Sequence, residues 1–106
     1  MNRMDALTAK RRAAREVQAS AAAEQIVKVA ADRGIAVEVI GSLARGDFRA
    51  HSDVDLLVRA PIDPHRRHAV ERLVADAMRP SGIAYDLIFE DDLEQDRLQE
   101  FLRDVV

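Results

Sequence analysis

Asp53 and Asp55 stand two residues apart in the segment DVDLLVR. On an extended strand alternate side chains share a face, so both carboxylates point the same way and can share divalent cations. Mg²⁺ takes hard oxygen ligands in octahedral geometry. Two such ions about 3.5–4 Å apart clamp the attacking and leaving oxygens of a phosphate displacement. A third carboxylate has to come from the same face of a neighbouring strand. Asp86, in IAYDLIFE, has the right parity, because it lies on the face opposite Tyr85, Leu87 and Phe89. Upstream, Gly41 and Ser42 follow the β-branched segment IAVEVI and are separated from Asp53 by the ten residues Leu43–Ser52. Ser42 is placed to cap a short helix, and the backbone N–H groups around Gly41 and Ser42 are a natural seat for the β- and γ-phosphates of a triphosphate. Gly41 lets the backbone come close to them. Arg45, one turn further on, suits phosphate oxygens or packs its stem, and Arg49 and His51 in the following loop are further phosphate candidates. Ser52 is placed to orient Asp53 through a local hydrogen bond.

A plainer account makes the three carboxylates a solvated sheet surface. Against it, the second strand of a small α/β chain is normally central and covered, and burying Asp53 and Asp55 unpaired costs several kcal/mol each. A function that needs the charges explains the pattern better. His65 and His68 are i, i+3 on a helix, but Arg66 and Arg67 lie between them and no further ligand is near, so they mark a solvated helix start. Asp91 and Asp92 read as helix caps, and Tyr85 as a core residue with its hydroxyl exposed.

The elements that must hold these groups are readable from periodicity and punctuation. Residues Asp5 to Arg33 contain neither Gly nor Pro and are rich in Ala, Arg, Glu and Gln, which predicts one long helix ending at Gly34. Leu7, Ala14, Val17, Ala21, Ile26, Val29 and Ala30 recur at helical spacings, a stripe that is strong only in the second half. Ile35–Ile40 is a strand, GSLARG a short helix ended by Gly46, Asp47–Ser52 a polar loop, and Asp53–Arg59 a second strand with Val54, Leu56 and Val58 on one face and Asp53, Asp55 and Leu57 on the other. Asp63 caps a helix with Pro64 at its first position and a buried stripe of Val70, Leu73, Val74, Ala77 and Met78. Pro80 and Gly82 close it. Ile83–Glu90 is the third strand. A last helix from about Asp91 to Asp104 is anchored by Leu93, Leu98, Phe101, Leu102 and Val105. The order α-β-α-β-α-β-α predicts a small α/β (α+β) sandwich, one domain with residues 1–34 as an N-terminal helical arm and 35–106 as the core.

Composition limits the function classes. A chain of 106 residues supports one domain. There is no cysteine, which excludes thiol catalysis, thiolate zinc sites and disulfides and suits a cytoplasmic location. No apolar run approaches the roughly 20 residues that span a bilayer, so no membrane association is expected. The net charge of −3 disfavours nucleic acid as the main ligand. Basic residues (Arg3, Lys10, Arg11, Arg12, Arg15) crowd the start and acidic ones (Glu90, Asp91, Asp92, Glu94, Asp96, Glu100, Asp104) the end, either as solvated faces or as a protein-docking surface.

The string GSLARGDFRAHSDVDLLV, with its Gly-Ser, ten-residue gap and Asp-x-Asp, resembles the signature of the DNA polymerase β nucleotidyltransferase superfamily. Four fixed residues at such spacings match by chance on the order of 10⁻⁵ per starting position. The likeness runs from Val37 to about Glu90 and is greatest to the minimal nucleotidyltransferases, commonly the antitoxin partners of HEPN toxins. It implies a nucleotidyltransferase fold with a mixed sheet of three to four strands flanked by helices. It implies Asp53, Asp55 and Asp86 as metal ligands for two Mg²⁺ ions, with Asp86 also taking the proton from the attacking hydroxyl, and ATP as substrate. It further implies transfer of AMP to a tyrosine hydroxyl of a HEPN-family toxin, since the chain has no room for the added domain that grips the acceptor in larger relatives. Two rival expectations are a non-catalytic antitoxin that masks its toxin and a small-molecule nucleotidyltransferase. The long N-terminal helix exceeds what such a core requires, which suggests a homo- or hetero-oligomeric contact or a toxin-docking arm.

Overall fold

The computed structural model describes residues 3–93 and 95–103. Helix α1 spans Arg3–Asp32, and its 30 residues extend about 45 Å at 1.5 Å per residue. It stops where expected. Gly34 takes a left-handed conformation with φ of 75°, and the N–H groups of Gly34 and Ile35 donate to the carbonyls of Ala31 and Ala30. Strand β1 (Val37–Ile40) leads into the short helix α2 (Gly41–Arg45), then β2 (Val54–Val58), α3 (Pro64–Met78), β3 (Tyr85–Phe89) and α4 (Gln95–Leu102), with single 3₁₀ turns at Arg79–Ser81 and Glu90–Asp92. Asp63 caps α3 as its sequence requires, its Oδ1 accepting from the Arg66 N–H at 2.8 Å beside Pro64.

The three strands form one sheet in the order β1-β2-β3, with β2 antiparallel to β1 and parallel to β3. This is the flanked mixed sheet that the family resemblance implies. One sheet face carries Val37, Val54, Leu56, Val58 and Phe89 and packs against Ala19, Ile26 and Ala30 of α1 and Val70, Val74 and Met78 of α3. The opposite face carries Glu38, Ile40, Asp55, Leu57, Asp86 and Ile88, and its apolar middle, Ile40 and Leu57, is covered by Leu93 and Leu102.

Four local expectations change. The stripe along α1 changes: Ile26 and Ala30 are buried as expected, but Ala19 and Ala23 turn inward before them while Leu7, Ala14, Val17 and Ala21 are left outward. Alanines occupy both sides of this helix, so spacing alone cannot choose between two apolar faces. The loop Asp47–Ser52 is not wholly polar, because Phe48 is 2% exposed and belongs to the main core. Asp91 and Asp92 cap no helix; Asp91 Oδ2 accepts from the Ile62 N–H and Asp92 pairs with Arg67, so both tether the chain after β3 to the start of α3. Helix α4 begins later than expected, at Gln95. Of its expected anchors, Leu93 and Leu102 pack as described, while the side chains of Leu98 and Phe101, and Val105, lie outside the described residues.

Candidate active site

Register brings the carboxylates together. Ile40 of β1 faces Asp55 of β2, and Asp55 faces Asp86 of β3, so Asp55 and Asp86 sit side by side on one sheet face. Asp53 precedes β2 with the same parity. The Asp86 and Asp53 carboxylates both act on Asp55 through charge. Burial comes first, and the neighbouring Asp86 and Asp53 carboxylates second, in pushing the Asp55 carboxyl above its ordinary range; Arg45 pulls it the other way. The carboxylates are less covered than a central strand suggests. Asp55 is half-buried while Asp53 and Asp86 are exposed, because α4 covers only the middle of this face. The case for function therefore rests on the gathering of like charges rather than on their burial.

Gly41 is where the sequence has no choice. It opens α2 with φ of 73°, and a Cβ there would overlap Asp55 Oδ2 and lie 3.1 Å from Asp55 Cγ. The backbone of the α2 turn thus rests directly on the central carboxylate. Ser42 does not cap this helix: α2 starts two residues earlier than a Ser42 cap requires, after Ile40, and no side chain caps it. Ser42 is half-buried in the first turn, among the N–H groups that lack an intrahelical acceptor. Gly46 ends α2 in the left-handed conformation, as its position predicts.

Arg45, on the last residue of α2, forms an ion pair with Asp47 at 3.6 Å and acts electrostatically on Asp55. Arg49 donates its backbone N–H to Ser52 Oγ at 2.8 Å and has an exposed side chain in the loop, as does His51. Ser52 therefore closes its own loop, where an orienting bond to Asp53 was expected. At the other end of the same face, Arg59 donates from Nε to Glu90 Oε1 at 2.6 Å and from Nη1 to Glu38 at 3.1 Å. That cluster has no sequence signal, because its members lie 21 and 31 residues apart.

Among the described residues no three ligand-type side chains already gather around one point. The donor set still suits a hard divalent cation. Asp53, Asp55 and Asp86 offer only carboxylate oxygens, and the charge they share is what such an ion would neutralise. No helix of the described residues is long and apolar enough to cross a membrane.

Comparison with known proteins agrees with the fold. A solved structure described as a candidate minimal nucleotidyltransferase is 25% identical, with a TM-score of 0.61 over 96% of this chain and 92% of that one. No protein of curated function matches the sequence. A family model described as a nucleotidyltransferase domain matches residues 22–105, from the second half of α1 through α4. The chain therefore belongs to the nucleotidyltransferase domain family.

Proposed function

We propose that this protein uses Mg²⁺ to transfer AMP from ATP to a hydroxyl of a partner protein, a tyrosine of a HEPN-type toxin, and so acts as that toxin's antitoxin. The observation that carries the reading is the side-by-side Asp55–Asp86 pair, with Asp53 acting on Asp55 through charge and the Gly41 backbone close against Asp55 at the start of α2. Family membership supports nucleotide transfer. Bound Mg²⁺ would supply charge neutralisation at the reacting phosphate, held by Asp53, Asp55 and Asp86. The backbone of Gly41 and Ser42 holds the β- and γ-phosphates, and Arg45 adds positive charge at the same end of the sheet. Asp86, exposed on the outer strand, accepts the proton of the attacking hydroxyl. The hydroxyl oxygen forms the new bond to the α-phosphorus in line, and the bond to the bridging oxygen breaks to release pyrophosphate.

Incubation with labelled ATP, Mg²⁺ and the toxin tests this. Label should move to the toxin, and Asp53→Ala with Asp55→Ala should reduce transfer by roughly a thousandfold or more. Transfer that survives the double substitution overturns the assignment. A masking antitoxin is the second reading, favoured by the unpartnered apolar side chains of α1, where Met4 is 71% and Val17 69% exposed. Under that reading, Asp86→Asn leaves toxin neutralisation in cells intact.

A further inference from the structure

Asp53 stands just outside the ladder of β2, and its position depends on what holds the chain on either side. Downstream, the Val54 N–H donates to the Ala84 carbonyl at 3.0 Å, which fixes the strand entry. Upstream, the Ser52 carbonyl accepts from Arg15 Nη2 at 3.0 Å, across 37 residues of sequence. That carbonyl belongs to the peptide plane joining Ser52 to Asp53, so the bond sets the orientation of the Asp53 backbone. The guanidinium is itself held in place, with its Cζ 5.8 Å from the centre of the buried Phe48 ring. Its Nε is buried and finds no acceptor among the described residues. A buried donor left without an acceptor costs stability, so an arginine here is poorly explained as a stabiliser of the fold alone.

We propose that Arg15 is a positioning residue for Asp53: α1 reaches over the α2–β2 loop and fixes the carboxylate that follows Ser52. The inference rests on the reading of Asp53 as one of the metal-binding carboxylates. It gives the long helix a role at the site, because the first half of α1 projects beyond the main core and Arg15 is its point of contact with the loop.

The test uses the intact chain and the variant Arg15→Met, which keeps the stem over Phe48 and removes the donor. Amide hydrogen exchange at Val54 should quicken about tenfold, the effect of losing one charge-assisted hydrogen bond, while Leu56 and Val74 exchange as in the unsubstituted protein. Mn²⁺ affinity, read by paramagnetic relaxation of water, should fall by about the same factor. In the transfer assay kcat should drop while KM for the triphosphate stays within about twofold. Arg15→Lys should restore Val54 protection to within about threefold, since it keeps a charged donor on a long stem. Unchanged exchange at Val54, an equal rise at Leu56 and Val74, or a lysine variant no better than methionine would each overturn the proposal. Should Arg15→Met not fold, Arg15→Gln, too short to reach Ser52, takes its place with the same expectations. If Asp53→Asn leaves Mn²⁺ binding unchanged, the reading of Asp53 is what fails, and Val54 exchange alone then decides the role of Arg15.

Discussion

Two acidic clusters occupy opposite ends of one sheet face, and they behave in opposite ways. At one end Glu38 and Glu90 flank Arg59, and the Ala60 N–H followed by the Arg59 guanidinium holds the Glu90 carboxyl below its ordinary range. At the other end Asp55 has Asp86 and Asp53 as like-charged neighbours and Arg45 as the cation acting on it, and burial and repulsion push its carboxyl up. Asp55 and Asp86 stand on β2 and β3, Arg59 and Glu90 follow the ends of those same strands beyond Leu57 and Ile88, and Glu38 stands on β1 in register with Leu57. Under the proposed function the difference gives the two clusters distinct roles. A cluster that holds its own arginine is a clamp between strands and the chain that leaves them, even with Glu38 Oε2 buried and without a donor among the described residues. A cluster short of positive charge invites a cation from solution, and its cost to folding is a mark of function.

The comparison breaks most severely at Gly41. Gly41→Ala places a methyl group against Asp55 in a left-handed backbone, so the turn or the carboxylate must move. Transfer should fall about a hundredfold or more, as shifts of about 1 Å do in a reacting site. Labelled-ATP turnover measures it, and activity within about threefold of the unsubstituted protein would show that α2 does not seat the phosphates.

Glu90→Gln tests the compensated end. It should cost about 1 kcal/mol at pH 7, measured by urea unfolding, since the ion pair is only partly screened from water. The folded-state value of Glu90 lies below its unfolded value. Its contribution is thus present above the unfolded value and is lost as pH falls through the folded one. The gap between the two proteins should close in acid.

Asp55→Asn is the smallest effect and has the opposite sign. The folded-state value of Asp55 lies above its unfolded one, so its penalty is absent in acid and grows as pH rises through the unfolded value towards the folded value. Asparagine removes the charge at nearly constant shape. The variant should unfold at a slightly higher temperature near pH 7, with no difference in acid, while losing transfer. A lower melting temperature at pH 7 would show that the carboxylates do not repel one another enough to matter.

The site was legible to the extent that it is local. Asp53 and Asp55 share a face because a strand alternates, and Asp86 joins them because its own strand has the same parity and runs parallel to β2 in register. The stop at Gly34 and the Asp63–Pro64 start of α3 follow from glycine's left-handed freedom and from side-chain capping. What failed was less local. Ser42 sits inside α2 because Gly41 itself turns the chain, and Phe48, a lone aromatic in a polar stretch, carried no periodicity to announce that it enters the core. Along α1, helical spacing pointed to Val17, but alanine lines both sides of the helix and contact with the sheet puts Ala19 in the core instead.

The three aspartates returned by spacing and parity are thus a property of the sequence by itself, as are the order of elements and the ends of α1 and α3, because backbone preferences and alternation act within a few residues. Only the tertiary structure decided that Asp55 is crowded and Glu90 relieved. Only it decided that the carboxylate face is open at one end, and that Arg15 reaches Ser52 across 37 residues. These outcomes depend on strand register and on which helix covers which face. Both are set by burying the largest apolar area the whole chain can enclose, and no short segment contains that information.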